Sequence, residues 1–124
     1  MKTYAAPDAA APVGPYSAAV EGGGFVFCSG QIPLDAAGQM AGYTAPEQAR
    51  QSLDNLRSLL AAAGLDLSAV VKTTIFLTDL VDFAAVNEVY ADYFAEPYPA
   101  RSTVQVAALP KGAKVEIEAI AARA

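Results

Sequence analysis

The segment Pro99–Ala121, PARSTVQVAALPKGAKVEIEAIA, constrains the fold more than any other part of the chain. Two apolar runs, Ser102–Ala108 and Lys114–Ala121, flank Pro110-Lys111-Gly112, so the segment reads as two strands around a turn. Strand alternation puts Val115, Ile117 and Ala119 on one face, and Glu116, Glu118 and Ile120 on the other. Arg101, Thr103 and Gln105 share one face of the preceding strand. Paired across the turn, Thr103 or Gln105 would oppose Glu118, and Arg101 and Glu118 would line one pocket. A hairpin that only builds structure needs neither charge.

Upstream, Tyr16–Val20 and Phe25–Ser29 read as short strands joined through Glu21-Gly22-Gly23-Gly24, a hairpin signal. Gln31–Tyr43, with Pro33, Gly38 and Gly42, reads as a long loop. Thr44-Ala45-Pro46-Glu47 fits a capping box that opens a helix running to about Ala63, with Gly64 placed to end it. Ala49, Leu53, Leu56, Leu60 and Ala63 recur at helical spacing and make one face apolar. Val70–Leu77 reads as a strand with Val71, Thr73, Ile75 and Leu77 on one face. Asp79 or Asp82 caps a second helix predicted to run to about Ala95, where Pro97 and Pro99 stop it. The order strands, helix, strand, helix, strands predicts one α+β domain over residues 1–124. Right-handed crossovers set both helices on one sheet face. The other face then needs cover, and packing against other subunits supplies it.

Composition narrows the chemistry. Among 124 residues there is no histidine and one cysteine, so an intrachain disulfide and a zinc site of Cys and His are excluded. The net charge of −5 argues against non-specific nucleic-acid binding. No apolar run reaches the roughly 18 residues that span a bilayer, and the first residues lack a secretory core, so neither a membrane partner nor export is expected. These features predict a soluble, cytoplasmic protein. Catalysis must use carboxylates, arginine, hydroxyls, backbone groups or water.

Several residues carry both a plain and a functional reading. Arg101 is either a surface arginine at a strand start or a clamp whose planar fork holds a carboxylate. Glu116 reads as a solvated position on the sheet face. Glu118, beside Ile120, reads as less exposed. Gly30 is either part of a strand-to-loop turn or a place where a ligand approaches the backbone, with Ser29 as a hydroxyl donor. Ser29 as an acyl nucleophile is disfavoured, since no histidine is available as its base. Tyr16 follows the Gly14-Pro15 turn and reads first as an aromatic packed at a strand start. Asn87, flanked by Val86 and Val89, reads first as a solvated helix position. Cys28 packs as a small apolar residue.

GPYS at Gly14–Ser17, SGQIP at Ser29–Pro33, Gln48–Gly64, Val70–Tyr90 and Pro99–Ala121 occur together in an order and spacing that resembles the Rid (YjgF-type) family along essentially the whole chain. The resemblance implies a chorismate-mutase-like α+β sandwich: a mixed sheet with two helices on one face, assembled as a homotrimer with sites in the clefts between subunits. It implies cofactor-free hydrolysis of 2-imino acids to 2-keto acids and ammonia. Such imines come from enamines released by pyridoxal-phosphate dehydratases. Carried over by motif, Arg101 matches the carboxylate-binding arginine and Glu118 the glutamate that places the attacking water. Tyr16, Ser29, Gly30 and Asn87 match further pocket positions. Thr103 stands where many members carry cysteine, which removes a thiol but leaves the backbone there for use.

The chemistry is sound on its own terms. An iminium carbon is already electrophilic, so orientation and a held water suffice. Two other functions share parts of this equipment. A non-catalytic trimer that binds small carboxylates needs Arg101 but no base. A ribonuclease is disfavoured by the acidic charge and the missing histidine.

Overall fold

The longest helix follows directly from its caps. In the computed structural model, which describes residues 1–124, α1 spans Ala45–Ala62. The Thr44 hydroxyl accepts from the Glu47 N–H, and the Glu47 carboxylate accepts from the Thr44 N–H at 3.0 Å, closing the predicted capping box. Ala49, Leu53, Leu56, Leu60 and Ala63 are all buried, as their spacing requires, and Leu59 joins them.

Six strands make one sheet: β1 Lys2–Tyr4, β2 Ala19–Gly22, β3 Phe25–Gln31, β4 Val70–Leu77, β5 Ala100–Gln105 and β6 Val115–Ala122. Their spatial order is β1-β2-β3-β6-β4-β5. All neighbours are antiparallel except β4 and β5. The β2–β3 hairpin turns at Gly23-Gly24, where φ is +61° and +82°, a conformation that L side chains resist. β2 begins at Ala19, so Tyr16 and Ser17 lie in the preceding bend rather than in a strand.

The second helix, α2, spans Phe83–Ala91 and ends before the predicted Ala95. Asp79 caps the short 3-10 turn Leu80–Asp82 that leads into it, by accepting from the Val81 N–H. The residues after Ala91 serve packing instead of continuing the helix. The Tyr93 hydroxyl donates to Asp54 on α1, and Phe94 stacks on Tyr90. Both helices cover one face of the sheet, where 23 buried residues form a single core cluster. No helix is long and apolar enough to cross a membrane.

Two sequence expectations fail here, each for a geometric reason. β5 and β6 do not pair as a hairpin, because β4 lies between them. The chain leaves β4 through α2 and returns to the same end, so β5 must run parallel to β4 at the sheet edge. The connection through the 3-10 turn Pro110–Gly112 then steps across the end of β4. In β4 itself, both Val70 and Val71 face the single residue Ala121 before pairing resumes at Lys72 with Ile120. This bulge shifts the alternation, so Val70, Thr73, Ile75 and Leu77 are buried and Val71 is exposed.

Candidate functional site

The sheet register divides the predicted site residues between two faces. Arg101 pairs with Thr73 and Thr103 with Ile75, and both partners are buried under the helices. Glu118 pairs with Thr74, between the buried neighbours Ile117 and Ala119, and so points to the uncovered face. Within one chain, Arg101 and Glu118 therefore do not line one pocket. The pairing that would have joined them is the hairpin that β4 displaces.

On the helix side, Arg101 stands at the start of β5 beside α2. Its Cζ lies 4.9 Å from the Tyr90 ring centroid and 5.6 Å from that of Phe83. The chain has four arginines; Arg50, Arg57 and Arg123 each face a carboxylate, and Arg101 faces none. Its guanidinium opens onto a cleft of about 340 Å³ lined by Asn87, Tyr90, Ala91, Tyr98, Pro99 and Arg101 itself. Asn87 thus shares a cleft with Arg101. Beneath the cleft, the Thr73 and Tyr90 hydroxyls lie 2.8 Å apart and are buried. Burial pushes the Tyr90 phenol up, opposed by the bond to Thr73 and the charge of Arg101. Thr103 Oγ1 is buried with no hydrogen-bond partner.

On the uncovered face, Ser29, Gly30, Glu116 and Glu118 come together around an irregularity. Cys28 pairs with Ala119 and Gln31 with Ile117, so Ser29 and Gly30 together oppose the single residue Glu118. A bulge of this kind re-aims side chains next to a site. The Glu116 carboxylate folds over the bare backbone of Gly30, where a Cβ would stand 2.5 Å from Glu116 Oε2 and would push that side chain aside. The Ser29 hydroxyl donates to the Ser17 carbonyl at 2.7 Å, so its proton is committed and only its lone pairs remain for a ligand. Tyr16 borders the same region. Its hydroxyl accepts from the Val13 N–H, and it lines a shallow cleft with Ser17, Phe27 and Ser29.

Sequence reasoning missed two features. Glu116 is half-buried over Gly30, not a solvated position. Burial, and then the neighbouring Glu118 charge, push its carboxyl above the usual range. The Phe83–Tyr90 support of Arg101 was also missed, although a signal existed. Phe83, Asn87 and Tyr90 are spaced four and three apart, which puts them on one face of α2. Cys28 is buried, and burial pushes its thiol up to about 12, so it is neither a nucleophile nor an accessible ligand. No three carboxylate or thiol side chains converge as a metal-ligand set.

The model of the endoribonuclease L-PSP family matches residues 6–123. The chain belongs to the Rid (YjgF-type) family. This Rid chain is 56% identical over 114 residues to the RutC family protein y4sK of Sinorhizobium fredii, covering 91% of this chain and 90% of that one. It is 49% identical over 125 residues to a 2-iminobutanoate/2-iminopropanoate deaminase of Salmonella typhimurium, covering 98% of each. Among solved structures, Escherichia coli TdcF with bound serine superposes with a TM-score of 0.94 at 46% identity, over the full length of both chains. The mixed α+β fold of six strands and two helices is thus that of the solved relative.

Proposed function

We propose that this chain hydrolyses 2-imino acids, such as 2-iminobutanoate and 2-iminopropanoate, to 2-keto acids and ammonia. The observation that carries the reading is Arg101. It is the one arginine without a carboxylate partner, braced by two aromatic rings and open to a cleft. A planar guanidinium left uncommitted in such a place fits a substrate carboxylate through two parallel hydrogen bonds.

In the proposed reaction Arg101 fixes the carboxylate of the iminium acid. Glu118 accepts a proton as water adds to the iminium carbon and the C=N π pair moves to nitrogen. Glu118 then returns that proton to the nitrogen of the carbinolamine. The hydroxyl gives its own proton back to Glu118 as C=O forms, C–N breaks and ammonia leaves, and Glu118 then passes that proton to the departing ammonia, which leaves as ammonium. No redox partner or cofactor enters. The chain alternation set by the Val106 N–H to Leu77 carbonyl bond turns the Thr103 N–H toward the unpaired edge of β5. A backbone donor there serves the ligand whether the side chain is threonine or cysteine.

Because Arg101 and Glu118 lie on opposite faces of one sheet, the proposal requires a second subunit. A homotrimer with a site in each cleft brings the Arg101 cleft of one subunit to the Ser29–Glu118 face of its neighbour. Exposed apolar side chains on the uncovered face, Phe25, Phe27 and Val104, support that assembly. The substrates arise where pyridoxal-phosphate dehydratases act, and we place the proposed work in the cytoplasm beside such enzymes.

The test couples a dehydratase to this protein and measures keto-acid release with and without it. Arg101→Ala and Glu118→Gln are each expected to lose activity. Mixed as co-refolded trimers, they are expected to recover about a quarter of the wild-type rate by random assortment, since some sites then combine intact halves. No recovery would overturn the shared site. No acceleration by the wild-type protein would overturn the deaminase itself. The serine bound in the TdcF structure favours a second reading, a trimer that holds small carboxylates without turning them over.

A further inference from the structure

Thr73 and Tyr90 take no direct part in the proposed chemistry, yet they sit directly behind its clamp. Thr73 is fully buried, and its hydroxyl is paired only with that of Tyr90. Tyr90 stacks on Phe94 with ring centroids 4.5 Å apart, which fixes its other side. Its ring lies under the Arg101 guanidinium, and Thr73 is also the residue that Arg101 faces across the β4–β5 ladder. One residue therefore governs Arg101 twice, through the backbone register and through the ring it holds.

A buried hydroxyl pair is a poor way to fill this volume if filling is all it does. Valine and phenylalanine would occupy the same space without desolvating two polar groups. What the pair adds is direction. It fixes where the Tyr90 ring can lie, and a cation above a ring face prefers a defined position. Phe83 contributes the second ring against the Arg101 guanidinium and is 41% exposed, so little of the core depends on it. Arg101 makes no hydrogen bond to the protein, and the aromatic contacts are what restrains an otherwise mobile side chain.

We infer that Thr73, Tyr90 and Phe83 are positioning residues that hold the Arg101 guanidinium ready for a carboxylate, with the Thr73–Tyr90 hydroxyl pair locking the cradle. The inference rests on Arg101 being the carboxylate clamp, and it assigns a binding role to a residue that no ligand can touch.

The experiment uses the intact protein and 2-oxobutanoate as the probe, with calorimetry for Kd and the coupled imine assay for kcat and KM. Thr73→Val, the double variant Thr73→Val/Tyr90→Phe, and Phe83→Leu are each expected to raise Kd and KM about three- to tenfold, the range that a cation–π contact spans. The kcat is expected to stay within about twofold, since orientation of the reacting water is untouched. Thr73→Ser restores the hydroxyl and is expected to restore Kd. The double variant removes both partners together, so no buried hydroxyl is orphaned and a folding defect cannot mimic the result. A ring-current shift of the Arg101 side-chain N–H resonances is expected in the wild type and reduced in Phe83→Leu.

Wild-type Kd and KM in the double variant would overturn the lock and leave the hydroxyl pair a packing feature. Wild-type Kd in Phe83→Leu, with unshifted Arg101 resonances, would overturn the cradle. An Arg101→Ala variant that binds 2-oxobutanoate normally would instead bring down the clamp reading, and the cradle with it. Absence of binding by the wild-type protein would overturn both.

Discussion

The two faces of the sheet obey different rules. Under the helices, Leu53, Leu56, Leu60, Ile75 and Ile117 are all fully buried, and of the polar groups that enter, Gln48, Asn55 and Thr73 are hydrogen-bonded while the Ser52 and Thr103 hydroxyls find no partner. Asn55, for example, donates to the Leu34 carbonyl at 2.9 Å and fastens the long loop to α1. The uncovered face mixes types that a folding core would separate. Phe27 pairs with Ile120, Glu118 with Thr74, and Phe76 with Glu116. Apolar and ionisable side chains side by side on an open sheet fit the proposal that a neighbouring subunit covers this surface and that the site lies on it. One face makes the fold stable, and the other is the face to which the proposed function assigns Glu118.

The largest expected effect tests the open face. Glu118→Gln keeps size and hydrogen bonding but cannot take a proton at neutral pH, so turnover is expected to fall by about two to four orders of magnitude. Binding of 2-oxobutanoate by calorimetry is expected to persist or tighten, because one negative charge has gone. Unchanged turnover would move water activation to another group, and lost binding in a folded trimer would make Glu118 architectural.

The helix face should respond in stability instead. Leu56→Ala is expected to cost about 2–5 kcal/mol, as full burial leaves a cavity that its neighbours fill only in part. Denaturant titration measures it, and a loss below 1 kcal/mol would show a core that collapses freely. On the other face, Phe27→Asp is expected to change the monomer's own stability far less, since Phe27 is 43% exposed in the single chain. Light scattering at micromolar concentration is expected to show dissociation. A trimer that survives would place the subunit contact elsewhere.

The smallest effect lies at the sheet's far end, where neither face is at issue. Glu21 accepts from Arg123 and from the Tyr4 hydroxyl, and these bonds pull its carboxyl down to about 2 from 4.5. A folded value below the unfolded one stabilises the fold above the unfolded pKa, and that support disappears as pH falls from about 4.5 toward about 2. Thermal melts of Glu21→Gln are expected to match those of the wild type near pH 2 and fall slightly below them at neutral pH. A gap that widens on acidification would reverse the assigned sign.

The sequence was most legible where the physics is local. The capping box at Thr44–Glu47 and the apolar stripe of α1 need only neighbours within a few turns of the chain, and both stand as read. The β5–β6 relation was not legible, because alternation sets which side chains share a face but not which strand lies alongside. Nor was the bulge at Val70–Val71, since one inserted residue inverts the faces without changing the composition of the run. At the candidate site, individual residue types were readable and their grouping was not. Arg101 with Asn87, and Ser29 and Gly30 with Glu118, are two clusters whose separation depends wholly on β4 intervening.

The sheet order carries a further consequence for how the protein is made. β6 lies near the middle of the sheet, flanked by β3 from the first part of the chain and β4 from the second. Until residues 115–122 are available, those two parts have no shared strand and the sheet exists only as fragments. Domain closure during synthesis must therefore wait for β6 to clear the ribosome. A message broken or terminated shortly before its codons yields a chain with an open seam through its core, a product suited to degradation rather than to partial function.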